Sequence, residues 1–436
     1  MQSEQDKRAN VTQALASVDF NGPVPPSRSD VGPTGAARSA NSSLASTRLA
    51  CTRLTLSNFR CYEHARLETG PKPIVLSGAN GAGKTNVLEA LSFLVPGSGL
   101  RRAKLSDVGR RDPSVRDSGT DAGRVWAVAA EVSSGDYPVR IGTGLENVSG
   151  AKRVVHIDGE AQRAQSVLSA HFAVHWLTPQ MDRLFLDGSV ERRRFLDRLV
   201  YSFDPAHAGR ISAYNHALRE RTKLLADNKM DDAWLSALED TLATRGMAVA
   251  AARLHVAERL AGGMAGVFHE TDSQFPACTL AIDGLAEGWL TDLPALEVED
   301  RLRRALKSSR SRDAKMGGAG NAIEGRLPHQ SDLVVTHAAK AMPAGQCSTG
   351  EQKMLLVGLV LAAARLSASD EGRVPVLLLD EVAAHLDAHH RDALFGEVLS
   401  LGCQAWFTGT ESDLFAPLQG RAHFFTVNDA TVSETS

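Results

Sequence analysis

Polar and apolar positions fall into a regular order from Cys51 onward. Leu54, Leu56 and Phe59 alternate with polar residues as in a half-buried strand, His64–Glu68 supply a second strand after a turn, and the apolar run Ile74–Leu76 a third. The third run enters a glycine-rich loop, Gly78–Thr85, after which Val87, Leu88, Leu91, Phe93 and Leu94 take up helical spacing. Further strands are predicted at 124–133, 137–143 and 153–157, the last ending in Asp158-Gly159, a hairpin-type turn pair. Residues 189–268 are rich in Ala, Leu and Arg, with long stretches lacking Pro and Gly, which predicts two or three long helices packed as a second lobe. A glycine-containing loop is expected over 311–325, a helix over 351–367 and a strand over Val374–Leu379.

This order predicts an α/β protein in which a mixed, parallel-sheet domain is split in sequence by a helical insertion. The expected division is an N-terminal half of the sheet domain at 50–186, a mainly helical lobe at 187–325 and a C-terminal half at 326–430. Residues 1–49, rich in Ser, Ala, Pro, Gly and Arg and without apolar periodicity, are expected to be a disordered extension. Their acids Glu4, Asp6, Asp19 and Asp30 argue against a transit peptide.

Composition narrows the class. The 436 residues, 43% hydrophobic, suffice for one large core or two smaller ones. No window nears the roughly 18 unbroken apolar residues of a membrane span, and no secretory h-region opens the chain, so a soluble cytoplasmic protein with no membrane partner is expected. Five scattered cysteines without CxxC spacing suggest neither a disulfide framework nor a zinc site. The formal net charge of -3 means that any nucleic-acid contact must come from local patches. Two exist: residues 301–315 hold seven Lys/Arg against one acid, and residues 98–116 hold six against two. A solvated helix face is the plainer account of either.

Three motifs carry chemistry. Gly78-Ala79-Asn80-Gly81-Ala82-Gly83-Lys84-Thr85 satisfies G-x-x-x-x-G-K-[ST] between a strand and a helix. Gly81 and Gly83 let backbone N–H groups turn toward phosphates at a helix N-terminus, which Asn86 continues. Lys84 is placed for the β- and γ-phosphates of ATP, and the Thr85 hydroxyl for Mg²⁺. Second, the apolar strand Val374–Leu379 ends in Asp380-Glu381. A buried parallel strand delivers its last residues to the ligand edge of the sheet, so Asp380 is expected to hold Mg²⁺ and Glu381 to act as general base on water, although a strand followed by a helix cap would read the same way alone. Third, Ser348-Thr349-Gly350-Glu351 precedes an apolar helix. Ser348 and Gly350 at a helix N-terminus suit a γ-phosphate, yet Ser348 with Glu351 is equally a capping box. Its position 25–30 residues before the Asp380 strand favours the phosphate role.

With these motifs in place the chain resembles ABC-type ATPases: Ser348-x-Gly350-Glu351 is similar to their signature motif, His385-Leu386-Asp387 to the D-loop, and Thr408-Gly409-Thr410 lies where their switch element sits. Leu56-x-Asn58-Phe59-Arg60 and the loop-helix segment are similar to the RecF family and to SMC heads. Leu177-Thr178-Pro179, Glu191–Asp197, Tyr214-Asn215 through Arg221, and Pro328–Leu333 narrow the resemblance to RecF over residues 51–427. It implies an ATP-dependent homodimer with two nucleotides sandwiched head to tail, weak ATPase activity, and catalytic roles for Glu381, Lys84 and Ser348. Binding of gapped DNA at single-strand/double-strand junctions is implied too, with RecR as partner and RecO and RecA reached indirectly. Arg101, Arg102, Lys104 and the 301–315 segment are the expected DNA contacts. Departures are Glu351, where the family usually has Gln, and Gln330, where it has Arg. An SMC-like head serving a nuclease or another DNA-processing complex, a transporter subunit and a small-molecule kinase are the rival readings.

Overall fold

The computed structural model describes residues 47–111, 125–133, 137–147, 150–227, 231–270, 274–316, 323–370 and 372–435. The described residues open with β1 (Thr47–Arg48), β2 (Ala50–Phe59), β3 (Tyr62–Glu68) and β4 (Ile74–Ser77), then helix α1 (Lys84–Ser92). Next come β5 (Ala127–Ser133), β6 (Pro138–Asn147), β7 (Gly150–Ile157), β8 (Glu160–Gln162), the one-turn α2 (Leu168–His171) and β9 (Val174–Leu177). The middle holds α3 (Ser189–Phe203), α4 (His207–Ala226), α5 (Asp232–Glu270), β10 (Cys278–Asp283), α6 (Leu285–Leu290) and α7 (Ala295–Met316). The last part holds β11 (Asp332–His337), β12 (Met342–Pro343), α8 (Thr349–Asp370), β13 (Arg373–Val374) and β14 (Val376–Leu379). It closes with α9 (Ala388–Leu401), β15 (Ala405–Gly409), β16 (His423–Asn428) and β17 (Thr431–Thr435).

Two six-stranded sheets face each other. One has the order β17-β16-β4-β15-β14-β9 and is parallel except for the β16–β17 hairpin. The other, β3-β2-β5-β6-β7-β8, is antiparallel throughout. Alternation along the central strands divides the core: Ile74, Leu76, Val376 and Leu378 point into the layer shared with α1 and the antiparallel sheet, where Leu54, Leu56, Val87, Leu88 and Leu91 meet them. Val75, Leu377 and Leu379 point the other way, into a core built with α3, α8 and α9. The α8 segment Thr349–Ser369 is long and apolar enough to cross a membrane by composition, but 61% of its most apolar window is buried inside the protein, as a core helix requires.

Some expectations shift. The last three residues of the segment expected to be disordered are ordered: Thr47–Arg48 pairs with Arg373–Val374, and Leu49 is buried. The remainder of that segment lies outside the described residues. The loop expected from 311 begins later, because α7 runs on to Met316, with Asp313 turned inward onto Arg221; residues 317–322 lie outside the described residues. Pro375 divides the expected strand Val374–Leu379 between β13 and β14.

The helical middle has its own cluster, in which Tyr214, Leu242, Ala250, Val298, Leu302 and Leu306 pack together. At its heart Arg221, fully buried, donates to Glu239 Oε1 (2.9 Å), Asp313 Oδ2 (2.8 Å) and the Leu306 carbonyl (2.7 Å). Breaking a buried pair by removing one partner costs about 3–5 kcal/mol, since the other charge is left uncompensated. Arg221→Ala is therefore expected to lower the unfolding free energy obtained from chemical denaturation by an amount of that order, with a lower midpoint. An unchanged midpoint would mean that the lobe does not depend on this cation.

Candidate functional site

The glycine-rich loop follows β4 at the carboxyl edge of the parallel sheet, where β14 and β15 also end. Gly78 and Gly83 are compelled by geometry. Gly78 has φ +150, and an added Cβ would lie 2.2 Å from the Val427 carbonyl oxygen; Gly83 has φ +118, and a Cβ there would lie 2.7 Å from Tyr62 Oη and 2.8 Å from Cys61 Sγ. Gly81, at φ +82, meets nothing nearby. Ala79, Asn80 and Ala82 complete the turn, with the Ala82 N–H donating to the Ala79 carbonyl (3.2 Å). Lys84 opens α1 and donates to the carbonyls of Gly78 (2.6 Å) and Ala79 (2.8 Å). Burial pulls its pKa below the usual lysine value, against the opposing pull of Glu381 and Asp380. Asn86 donates to Cys61 Sγ (3.1 Å) and accepts from Arg101 (2.8 Å).

The α1 helix is anchored from behind. Arg60, at the β2–β3 turn with φ 55, forks onto the fully buried Glu89 and donates to the Asp107 carbonyl (2.8 Å). At the other end of α1 the buried Arg153 reaches the carbonyls of Phe93 and Gly97 and the side chain of Gln165. Cationic donors at a helix C-terminus satisfy its orphan carbonyls and complement its dipole.

Residues about three hundred positions apart converge on one carboxylate. Asp380 Oδ1 accepts from Thr85 Oγ1 (2.8 Å) and from Thr408 Oγ1 (2.8 Å), and the same Thr408 hydroxyl accepts from the Glu381 N–H (2.9 Å). Glu381 has φ 56, a left-handed conformation that a non-glycine residue holds only at a cost of about 1–3 kcal/mol. Such strain persists where the surroundings over-determine it, here by the Thr408 bond. The Thr85 hydroxyl and the Asp380 carboxylate are the kind of oxygen pair that suits Mg²⁺, which takes few protein ligands and keeps phosphates and waters for the rest.

The hydrogen bonds that join Thr85, Asp380, Glu381 and Thr408 do not extend to Ser348 and Gly350 among the described residues. Both are exposed at the start of α8. Glu351 Oε2 accepts from the Ser348 N–H and hydroxyl, each at 3.0 Å, while Oε1 meets Lys340. The Lys340 bond and then the Ser348 bonds hold the Glu351 carboxyl down to about 2. The capping box and the proposed phosphate site thus use the same atoms. Asp387 caps α9 by accepting from the His390 N–H (2.9 Å), and His389 bonds Gln274 (2.6 Å). His329 bonds Tyr214 Oη (2.9 Å), and burial followed by Arg193 and Arg253 pulls its pKa down to about 4.

Sequence reasoning singled out Leu177-Thr178-Pro179 only as a family-like segment and gave the loop after β9 no part in the site. Because β9 pairs with β14, the Leu177 carbonyl accepts from the Asp380 N–H (2.9 Å), and Thr178, Asp182, Lys353 and His385 line a small hollow beside Asp380. Asp182 also pairs with Lys353 of α8 (2.9 Å), linking this loop to the Ser348 helix. The basic segment 301–315 is less free than its composition suggests. Arg301 pairs with Glu297, Arg303 with Asp240, Glu299 and Asp300, and Arg310 with Glu239 and Asp232. Arg304, Lys307, Arg312 and Lys315 remain exposed. Arg102 likewise pairs with Glu191.

The RecF/RecN/SMC N-terminal domain family matches residues 50–420. The chain is 50% identical over 385 residues to the DNA replication and repair protein RecF of Caulobacter vibrioides, covering 86% of this chain and 96% of that protein. It is 46% identical to RecF of Mesorhizobium japonicum, covering 88% and 97% respectively. The chain belongs to the RecF family. Its fold, a mixed α/β head of the RecF and SMC ATPase type, matches structures of the recombination mediator protein RecF of the RecFOR pathway. One, described with ATP, gives a TM-score of 0.73 at 22% identity over 89% of this chain and all of that one. A second gives 0.74 at 21% identity over 90% and 100%.

Thr408 makes the site testable as a unit. Thr408→Val keeps the volume but leaves the Glu381 N–H without its acceptor, a loss of about 1–3 kcal/mol for a buried donor. A lowered melting midpoint restored by Thr408→Ser is the expected outcome, and equal midpoints for all three proteins would count against the bridge.

Proposed function

We propose that this RecF-family chain is an ATP-gated DNA clamp of recombinational repair, acting in the cytoplasm. The observation that supports it most is the meeting of Thr85, Asp380, Thr408 and the Glu381 backbone at one sheet edge, with Ser348 exposed for a second subunit. In this reading the sheet domain, 50–186 with 326–430, is the ATPase head and 187–325 its second lobe. The loop from Gly78 to Thr85 wraps the phosphates of ATP with its backbone N–H groups, and Lys84 exchanges the Gly78 and Ala79 carbonyls for β- and γ-phosphate oxygens. Thr85 and Asp380 hold Mg²⁺, which when bound neutralises phosphate charge. Glu381, positioned by its own N–H bond to Thr408, polarises the attacking water.

Ser348 and Gly350 of one protomer receive the γ-phosphate held by its partner, so that two ATP molecules cement a homodimer and slow hydrolysis releases it. DNA with a gap or a single-strand/double-strand junction lies across the dimer. Arg101, Arg102, Lys104 and the exposed cations of α7 contact its phosphates in a salt-sensitive, sequence-independent way. RecR is the direct partner, and RecO and RecA are reached through it.

Gapped-DNA binding and oligomeric state, measured with and without ATP, test the proposal. Wild type is expected to dimerise and bind only with ATP, and Lys84→Ala and Ser348→Arg to do neither; equal binding by all three without nucleotide would overturn the switch. Glu351 holds the Ser348 hydroxyl that the γ-phosphate needs. Glu351→Gln, which removes the charge and weakens that hold, is expected to tighten ATP-dependent dimerisation about 3–10-fold. A weaker dimer would instead assign Glu351 a supporting role in the interface.

A further inference from the structure

A cleft of about 350 Å³ opens between the segment following α1 and the helices α3, α4 and α5. Its charged lining is five arginines, Arg102, Arg193, Arg194, Arg198 and Arg253, against the single carboxylate Asp197. That carboxylate is already committed: Arg253 forks onto it at 2.7 and 2.9 Å, and His207 bonds it at 3.0 Å. Glu191, beside the mouth, is shared between Arg102 and Arg194. The cleft therefore carries an excess of positive charge that the protein itself does not balance.

Arg198 is the centre of that imbalance. It is 8% exposed and makes no ion pair among the described residues. Its guanidinium lies 4.0 Å above the Trp176 ring, its Nε has no hydrogen-bond partner, and Nη2 has only long contacts to the Trp176 carbonyl (3.4 Å) and Met181 Sδ (3.7 Å). Burial, reinforced by Arg102, pulls its pKa down to about 9. The other buried arginines are fully employed: Arg221 and Arg253 grip carboxylates, and Arg153 grips carbonyls. Stacking on Trp176 offsets part of the desolvation of Arg198 but brings no counter-charge. Arg198 and Trp176 also line the neighbouring hollow of about 550 Å³, so the guanidinium stands between two open spaces.

We propose that this interlobe cleft is a second phosphate-binding site, in which Arg198, Arg193 and Arg194 hold a multiply charged phosphate group. Planar guanidinium forks suit phosphate oxygens, and the volume suits pyrophosphate or one nucleotide unit. Converging arginines with so little opposing charge favour a polyanion over a single carboxylate. The phosphate comes either from a free pyrophosphate-bearing molecule or from a nucleic-acid strand entering the cleft. The inference does not rest on the ATP switch.

Calorimetric titration of full-length Lys84→Ala, whose glycine-rich loop is impaired, with inorganic pyrophosphate and with hexathymidylate tests it. Tighter binding of pyrophosphate points to the free source and tighter binding of the oligonucleotide to a strand; either supports the site. Arg198→Met in this background is expected to weaken the favoured probe at least about tenfold. Without the probe its melting temperature should be equal or higher, because an uncompensated buried cation is removed. Arg194→Gln, at an exposed position, is expected to weaken binding about two- to fivefold and keeps the test open should Arg198→Met not fold. Failure of both probes to bind, or affinities unchanged in both variants, overturns the proposal.

Discussion

One carboxylate oxygen holds the candidate site together. Asp380 Oδ1 accepts from Thr85 on the helix behind the glycine-rich loop and from Thr408 at the end of β15, while Thr408 in turn fixes the strained backbone of Glu381. The three contributing strands, β4, β14 and β15, are neighbours in a parallel sheet, so their carboxyl ends open on one edge. Their apolar residues alternate between two cores, and neither layer can shift without disturbing the other. The packing of the sheet is thus what sets the hydroxyl-to-carboxylate distances, and the polar cluster reports that packing.

Buried arginines do the second part of the structural work, and the partners they meet differ. Arg60 meets a buried carboxylate and braces the helix that begins at Lys84. Arg153 meets only neutral oxygens at the far end of that helix, where the helix dipole makes carbonyls worthwhile acceptors. Asp197 joins Arg253 and His207, and although burial raises a carboxyl, these partners together hold it down to about 2. Through the Arg253 bonds to the Pro328 carbonyl and Ser331 Oγ, this knot ties the helical part to the segment leading into β11. Arg198 is the exception in this set, and a cation that breaks the local rule of compensation points to something outside the chain.

Much of this was legible in the sequence wherever a local pattern dictates the answer. The alternation of Leu54, Leu56 and Phe59, the run Ile74–Leu76 and the helical spacing from Val87 to Leu94 reappear as β2, β4 and α1 because burial on one face imposes those periods. The glycines of the loop were legible from their spacing before Lys84-Thr85, although the neighbours that compel Gly78 and Gly83, Val427 and Tyr62, were not. What depended on contact between distant segments was not. No spacing reveals that Thr408 bridges Asp380 and Glu381, that the loop after β9 lies beside Asp380, or that the acids of α5 and of α7 itself pair with three of the seven cations of a basic run. Charge composition counts side chains, whereas a field depends on which of them are paired.

The Ser348 motif illustrates why two readings of one motif need not exclude each other. A capping box and an anion site are built from the same serine hydroxyl and the same N-terminal N–H groups of a helix. In this chain Glu351 closes the box with its carboxylate and is itself held by Lys340, so the Ser348 hydroxyl is engaged rather than idle. A phosphate arriving at Ser348 must displace an internal anion from it. A Gln at position 351 would offer the hydroxyl a neutral partner and a weaker competitor. In the proposed dimer, Glu351 therefore competes with the shared nucleotide for the Ser348 hydroxyl.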